Sequence, residues 1–286
     1  MFSDLRLLTV PALLALTLGC TTMDYKLTPI GDGTLQVVVV FAADADHPAG
    51  RAAWADHLID LLDDTLANSG VHQHVYLADL VEHEADSADF GATLQDRLDA
   101  VRADGDFATL RSSASADLVV LITTDGDGGR GIAPLTTGES YEDVLDGYAV
   151  VEVDAPDSFV HEVGHLLGAD HDSLNTLQPC SSAVGYGCGY VDVPGNVRTV
   201  MSYGEGCASC PRVPLFSNPF VTVAGNPMGD TETAYNACVV YQLIDYVADF
   251  DGVLYSEEYW VSDPLASSCD LELTETTDDP TWDTGL

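Results

Sequence analysis

At 286 residues the chain has room for one large domain or two small ones around a sizeable core, and a hydrophobic content of 46% excludes wholesale disorder. Its formal charge of −38, from 9 basic against 47 acidic residues, argues against nucleic acid or an anionic membrane surface as a partner. The acidity by itself needs no explanation beyond solubility, in a saline or calcium-rich setting.

Residues 1–20 are a targeting segment. Arg6 precedes an apolar run from Leu7 to Leu18, which is the length of a signal core and too short to span a bilayer. Leu16-Thr17-Leu18-Gly19-Cys20 resembles a bacterial lipobox, although Thr17 stands where a leucine is usual. The expectation is an extracytoplasmic protein: a bacterial surface lipoprotein acylated at Cys20, with simple secretion as the alternative. Cys180, Cys188, Cys207, Cys210, Cys238 and Cys269 remain, an even set that suits disulfides in an oxidising compartment, with their pairing left open. Cys207 and Cys210 would make half a zinc ribbon, but no second C-x-x-C completes it, so they too are expected in disulfides.

Residues 21–34 read as a polar linker. Leu35 to Ala42 is a continuous β-branched run, the pattern of a strand buried on both faces. A helix follows over Arg51–Asn68, with Trp54, Leu58, Leu61, Leu62 and Leu66 at helical spacing and Ser69-Gly70 as its stop. Val71 to Val81 is a second strand, Phe90 to Val101 a second helix, and Asp117 to Thr123 a third buried strand. His72 and His74 share one side of the second strand, but no carboxylate or cysteine is in register to complete a metal site, which favours an exposed face. The β-α-β-α-β order predicts an α/β sandwich with a largely parallel sheet. In the loop from Asp125 to Pro134, Asp125 and Asp127 could cradle calcium, yet the third acid and the distal Glu of an EF-hand loop are missing. Tyr148 to Val153 is a further strand, and Asp157 or Ser158 is the expected N-cap of the next helix.

That helix carries the sharpest motif, His161-Glu162-Val163-Gly164-His165-Leu166-Leu167-Gly168-Ala169-Asp170-His171-Asp172. His161 and His165 stand one turn apart, so both reach one ion, and Glu162 can deprotonate a water held there. Gly168 can take the left-handed conformation that ends a helix and returns His171 to the same ion. Three neutral imidazoles leave a tetrahedral zinc one open position, the layout of a catalytic site. Beyond the motif, a Gly- and Pro-rich stretch leads to Thr199-Val200-Met201-Ser202-Tyr203-Gly204. Asp230 to Phe250 is a last helix, and residues 251–286 form an acidic tail without periodicity.

The extended motif resembles that of the metzincin zinc endopeptidases, whose other hallmark is a methionine turn beneath the metal, here at Met201. Asp172 after His171 resembles the adamalysin (reprolysin) pattern, where the acid braces the turn. Tyr203 stands where astacins and serralysins carry a tyrosine near zinc, able to ligate the metal or donate to an oxyanion. The whole resembles bacterial reprolysin-like enzymes of the peptidyl-Asp metallopeptidase type. Besides the zinc helix, this rests on Leu66 to Val71, Asp117 to Leu121 and Arg212 to Pro219.

For residues 35–250 the resemblance implies a metzincin-type α/β (α+β) catalytic domain. It would hold a mixed five-stranded sheet with an antiparallel edge strand, an active-site helix, an irregular lower subdomain and a C-terminal helix. The implied function is a monomeric zinc-dependent endopeptidase acting on protein or peptide substrates, with zinc on His161, His165 and His171 and Glu162 as base. Gly131, Ile132 and Ala133 would form the edge along which substrate pairs, and Arg212, Pro214 and Phe216 the wall of the specificity pocket. Arg212, or Arg198, would favour an acidic side chain. The competing readings are a catalytically silent adhesion module and a calcium-binding module on the same scaffold. Neither accounts for an intact set of ligands and base.

Overall fold

The β-branched run forms β1 (Leu35–Phe41), every residue of which except Gln36 is buried. After it come α1 (Arg51–Asn68), β2 (Val75–Glu82), α2 (Ser87–Phe90), α3 (Leu94–Ala103), α4 (Gly105–Ser113), β3 (Leu118–Thr123), β4 (Gly131–Ile132), α5 (Glu142–Leu145), β5 (Tyr148–Glu152) and α6 (Pro156–Leu166). Two hairpins follow, β6 (Val191–Asp192) with β7 (Val197–Arg198) and β8 (Asn218–Val223) with β9 (Asn226–Met228), and then α7 (Asn236–Val247). This computed structural model describes residues 34–250 except 125–126, 139–141, 177–179, 181–186, 204–206 and 208. The signal segment with Cys20, Asp125 of the calcium reading, Cys269 and the acidic tail lie outside the described residues.

The strands form one five-stranded sheet in the order β2-β1-β3-β5-β4. Its first four strands are parallel, while β4 runs antiparallel to β5 with Gly131 opposite Val151 and Ile132 opposite Val150. This is the expected mixed sheet with an antiparallel edge. The inner strands β1, β3 and β5 are buried on both faces, so helices must cover both sides, which is why these strands read as unbroken apolar runs. Helix α6 packs on β5, β4 and α1, which sets its C-terminal half beside the edge strand.

Several boundaries differ from the sequence reading. The second strand begins at Val75, so His72 and His74 precede it as exposed residues rather than sharing a strand face. The expected helix over Phe90–Val101 is two pieces, because Gly91 adopts φ 147° and Thr93 opens α3 with a capping box to Asp96. Helix α4 was not anticipated; Asp104 caps it by accepting the Asp106 N–H. The N-cap of α6 is Ala155, with Pro156 in the first turn, in place of Asp157 or Ser158. The last helix starts at Asn236 because Asp230 accepts the N–H groups of Glu232 and Thr233 and folds residues 230–234 into a turn.

Candidate metal centre

Helix α6 ends through Gly168. The Gly168 N–H bonds the His165 carbonyl and the Ala169 N–H bonds that of Gly164, the double closure of a Schellman motif, with Gly168 at φ 85°. A Cβ at position 168 would also overlap Leu243 Cδ1 and stand 3.0 Å from Val239 Cγ1, so α7 packs directly under the turn. The chain then reverses and brings His171 back over the helix.

The three imidazoles meet. His171 Nε2 lies 3.1 Å from His161 Nε2 and 3.0 Å from His165 Nε2. Two of the rings are engaged by backbone through their other nitrogen: His161 Nδ1 donates to the Val200 carbonyl at 3.0 Å and His165 Nδ1 to that of Ala169 at 2.8 Å. A carbonyl can only accept, so these contacts place the protons of His161 and His165 on Nδ1 and turn their Nε2 lone pairs towards His171 Nε2. Burial lowers the pKa of all three rings, that of His165 to about 4, so they are neutral at pH 7. Facing lone pairs repel without a cation between them. Tetrahedral zinc, with nitrogen ligands at about 2.0–2.1 Å, sets them roughly 3.3 Å apart, close to the spacings seen. The donor set therefore fits one divalent ion, and it is the one such group among the described residues.

Support comes from three directions. Met201 is fully buried beneath α6; a Cβ on Gly164 would lie 2.6 Å from its sulfur and 2.8 Å from the Phe216 ring, so glycine in the helix lets both pack close. Asp172 is buried and accepts the Tyr203 N–H at 2.8 Å, the Leu174 N–H at 3.1 Å and an amide N–H of Asn175 at 2.7 Å, tying the His171 loop to the methionine turn. Asn236, at the first turn of α7 and absent from the sequence reading, is wholly buried. Its amide donates to the Asp170 carbonyl at 3.1 Å and accepts the Asp170 N–H at 3.3 Å, holding the residue before His171 by both backbone groups. A short amide near a helix start carries no distinguishing signal, which is why sequence reasoning passes over it.

Glu162 is 6% exposed, and burial pushes its pKa up to about 8, against the opposing charge of Arg212 and a hydrogen bond from the Ala133 backbone. Tyr203 is 40% exposed, with its ring edge-on to His171 at 4.6 Å between centroids, so it stands over the imidazoles with its pKa raised by burial. Gly131 and Ile132 form the outer strand of the sheet beside Glu162, and Ala133 follows them. Arg212 is partly buried, and its charge acts on Glu162, Tyr203, His161 and His171. Among the described residues Arg212 makes no ion pair, and its buried Nε has no hydrogen-bond partner.

Arg198 differs, because it donates to the carbonyls of Cys210 and Ser202 and so braces the methionine turn. Pro214 is half-buried and its carbonyl accepts from Asn68. Phe216, expected on the pocket wall, is fully buried as the floor under Gly164. Asp127 is exposed and accepts the Gly129 N–H. Disulfides join Cys180 to Cys188 and Cys207 to Cys210, and Cys238 is disulfide-bonded as well.

The profile of metallo-peptidase family M12 matches residues 36–217, well over half of the chain. A peptidyl-Asp metalloendopeptidase of Xanthomonas campestris pv. campestris is 34% identical over 149 residues, which is 50% of this chain and 33% of that protein. One from Stenotrophomonas maltophilia is 33% identical over 150 residues, covering 50% and 34%. The chain thus spans about a third of the length of the curated relatives it matches. A solved chain from a chaperone-substrate complex superposes with a TM-score of 0.60 at 18% identity, covering 76% of this chain and 35% of that one, a likeness of fold alone. With the profile match lying across the histidine cluster, the methionine turn and the sheet that carries them, the chain belongs to metallo-peptidase family M12, in its reprolysin-like branch.

Proposed function

We propose that the protein is a zinc-dependent endopeptidase that hydrolyses internal peptide bonds with Glu162 as general base. The observation that carries this reading is the convergence of three neutral imidazoles, two of them buried, on one point next to a buried carboxyl. His161, His165 and His171 would hold the ion, the first two oriented by the carbonyls of Val200 and Ala169. Zinc, when bound, supplies positive charge that favours ionised Glu162 and a Lewis acid with one position left open. The Glu162 carboxylate takes the proton of the attacking water and returns it to the leaving amine. The Tyr203 phenol, whose pKa burial raises, would donate to the oxyanion.

Substrate in extended form would pair with the free edge of β4 at Gly131, Ile132 and Ala133. Arg212, without an ion pair among the described residues, is the group that would receive an acidic substrate side chain, and the relatives named for peptidyl-Asp cleavage point the same way. Export, with Cys20 as lipid anchor or by simple secretion, is supported by the signal-like residues 1–20 and the disulfides. The catalytic domain would span residues 35–250 and act as a monomer, without nucleic acid as a partner.

The test uses purified protein lacking residues 1–20, assayed for zinc content and for cleavage of a peptide set containing aspartate, beside Glu162→Gln. The expected result is one zinc per chain in both proteins, chelator-sensitive cleavage by the parent, and loss of cleavage in the variant. Equal inertness of both on every substrate, with zinc in place, would instead assign an adhesive role to the scaffold.

A further inference from the structure

The edge strand approaches the catalytic carboxyl more closely than substrate pairing requires. Gly131 lies in β4 without a positive φ, so its backbone conformation suits any residue and does not call for glycine. Space does. A Cβ at position 131 would stand 2.6 Å from Glu162 Cγ, 2.8 Å from Oε1 and 3.0 Å from Cδ. Those atoms belong to a side chain that is itself only 6% exposed, on a helix packed against β4 and β5, so it has little room to step aside.

We propose that Gly131 is a positioning residue for the Glu162 carboxylate: its missing side chain makes room for the carboxylate, and the strand backbone there sets where it stands. The inference rests on the reading of Glu162 as general base. It gives the edge strand a second task, since the backbone along which substrate would lie also sets where the base stands. A shift of β4 that improves substrate pairing at the cost of the Glu162 contact would then lower turnover without weakening binding.

The experiment has a thermodynamic arm and a kinetic arm. In the thermodynamic arm Gly131→Ala, Glu162→Ala and the double variant are unfolded thermally as metal-free proteins. Gly131→Ala should lower Tm by about 2–12 °C when Glu162 is present, the range for an overpacked site in a domain of this size. In the Glu162→Ala background, where Cγ, Cδ and Oε1 are gone, the same substitution should shift Tm by less than about 2 °C. In the kinetic arm the zinc-loaded Gly131→Ala protein should keep one zinc and an unchanged KM while kcat falls about 100-fold. Additive Tm shifts, or full kcat in zinc-loaded Gly131→Ala, would overturn the proposal. A parent protein inert on all peptides, with the Tm coupling intact, would sink the peptidase reading on which the proposal depends.

Discussion

Replacing Asn236 by Ala tests how far the third histidine depends on α7. The side chain is fully buried and makes two hydrogen bonds to Asp170, at 3.1 Å to its carbonyl and 3.3 Å from its N–H. Each is worth about 1 kcal/mol, and the vacated amide leaves a small void, so the expected destabilisation is about 2–3 kcal/mol, or a Tm lower by roughly 4–12 °C. Asp170 keeps its N–H bond to the Gly187 carbonyl at 2.9 Å and its carbonyl's bond from Gly189 N–H at 3.1 Å, so His171 loosens without leaving the site. Zinc affinity should therefore fall by about tenfold, the low end for loss of a group that orients a ligand. Competition with a chromophoric chelator gives the zinc Kd, and thermal unfolding of the metal-free protein gives the Tm. A lowered Tm with the parent Kd would show that Asn236 supports the fold and not the ligand, and would refute the reasoning.

Three further outcomes are expected. Arg212→Gln should reduce kcat/KM for peptides bearing aspartate by about 10- to 100-fold while sparing neutral ones, the worth of a charge-assisted hydrogen bond; equal losses on both would remove Arg212 from substrate selection. Gly168→Ala forces a side chain into φ 85° and against Leu243, and should cost more than about 2 kcal/mol in urea unfolding; a loss under about 0.5 kcal/mol would contradict the packing. The metal-free protein should show a pH dependence that Glu162→Gln removes. The folded-state pKa of Glu162, about 8, lies above its ordinary 4.5, so the folded state binds the extra proton and its stabilising effect fades as pH rises through that window. His161 and His165, with lowered pKa values, contribute in the opposite sense, losing their effect as pH falls below the ordinary 6.5. The urea midpoint of Glu162→Gln relative to the parent should thus climb between pH 4.5 and 8, and a constant difference would count against a raised pKa.

Much of this molecule follows from local pattern. The apolar runs at residues 35–42, 117–123 and 148–153 could be buried on both faces only in a covered sheet, and α1 matches its helical spacing from Arg51 to Asn68. The positions of His161, His165, Gly168 and His171 imply the convergence itself, because helix geometry and one left-handed residue are enough to bring three rings together. What lay beyond the sequence was set by contacts between distant segments. Asn236 reaches Asp170 across 66 residues, the Val200 carbonyl fixes the His161 tautomer across 39, and Phe216 sits below Gly164 and not on a wall facing substrate. Even Gly168 and Gly131 carry meanings that only packing supplies. Leu243 presses on the first, Glu162 fills the space at the second, and a chain read residue by residue holds no record of which side chain will arrive there.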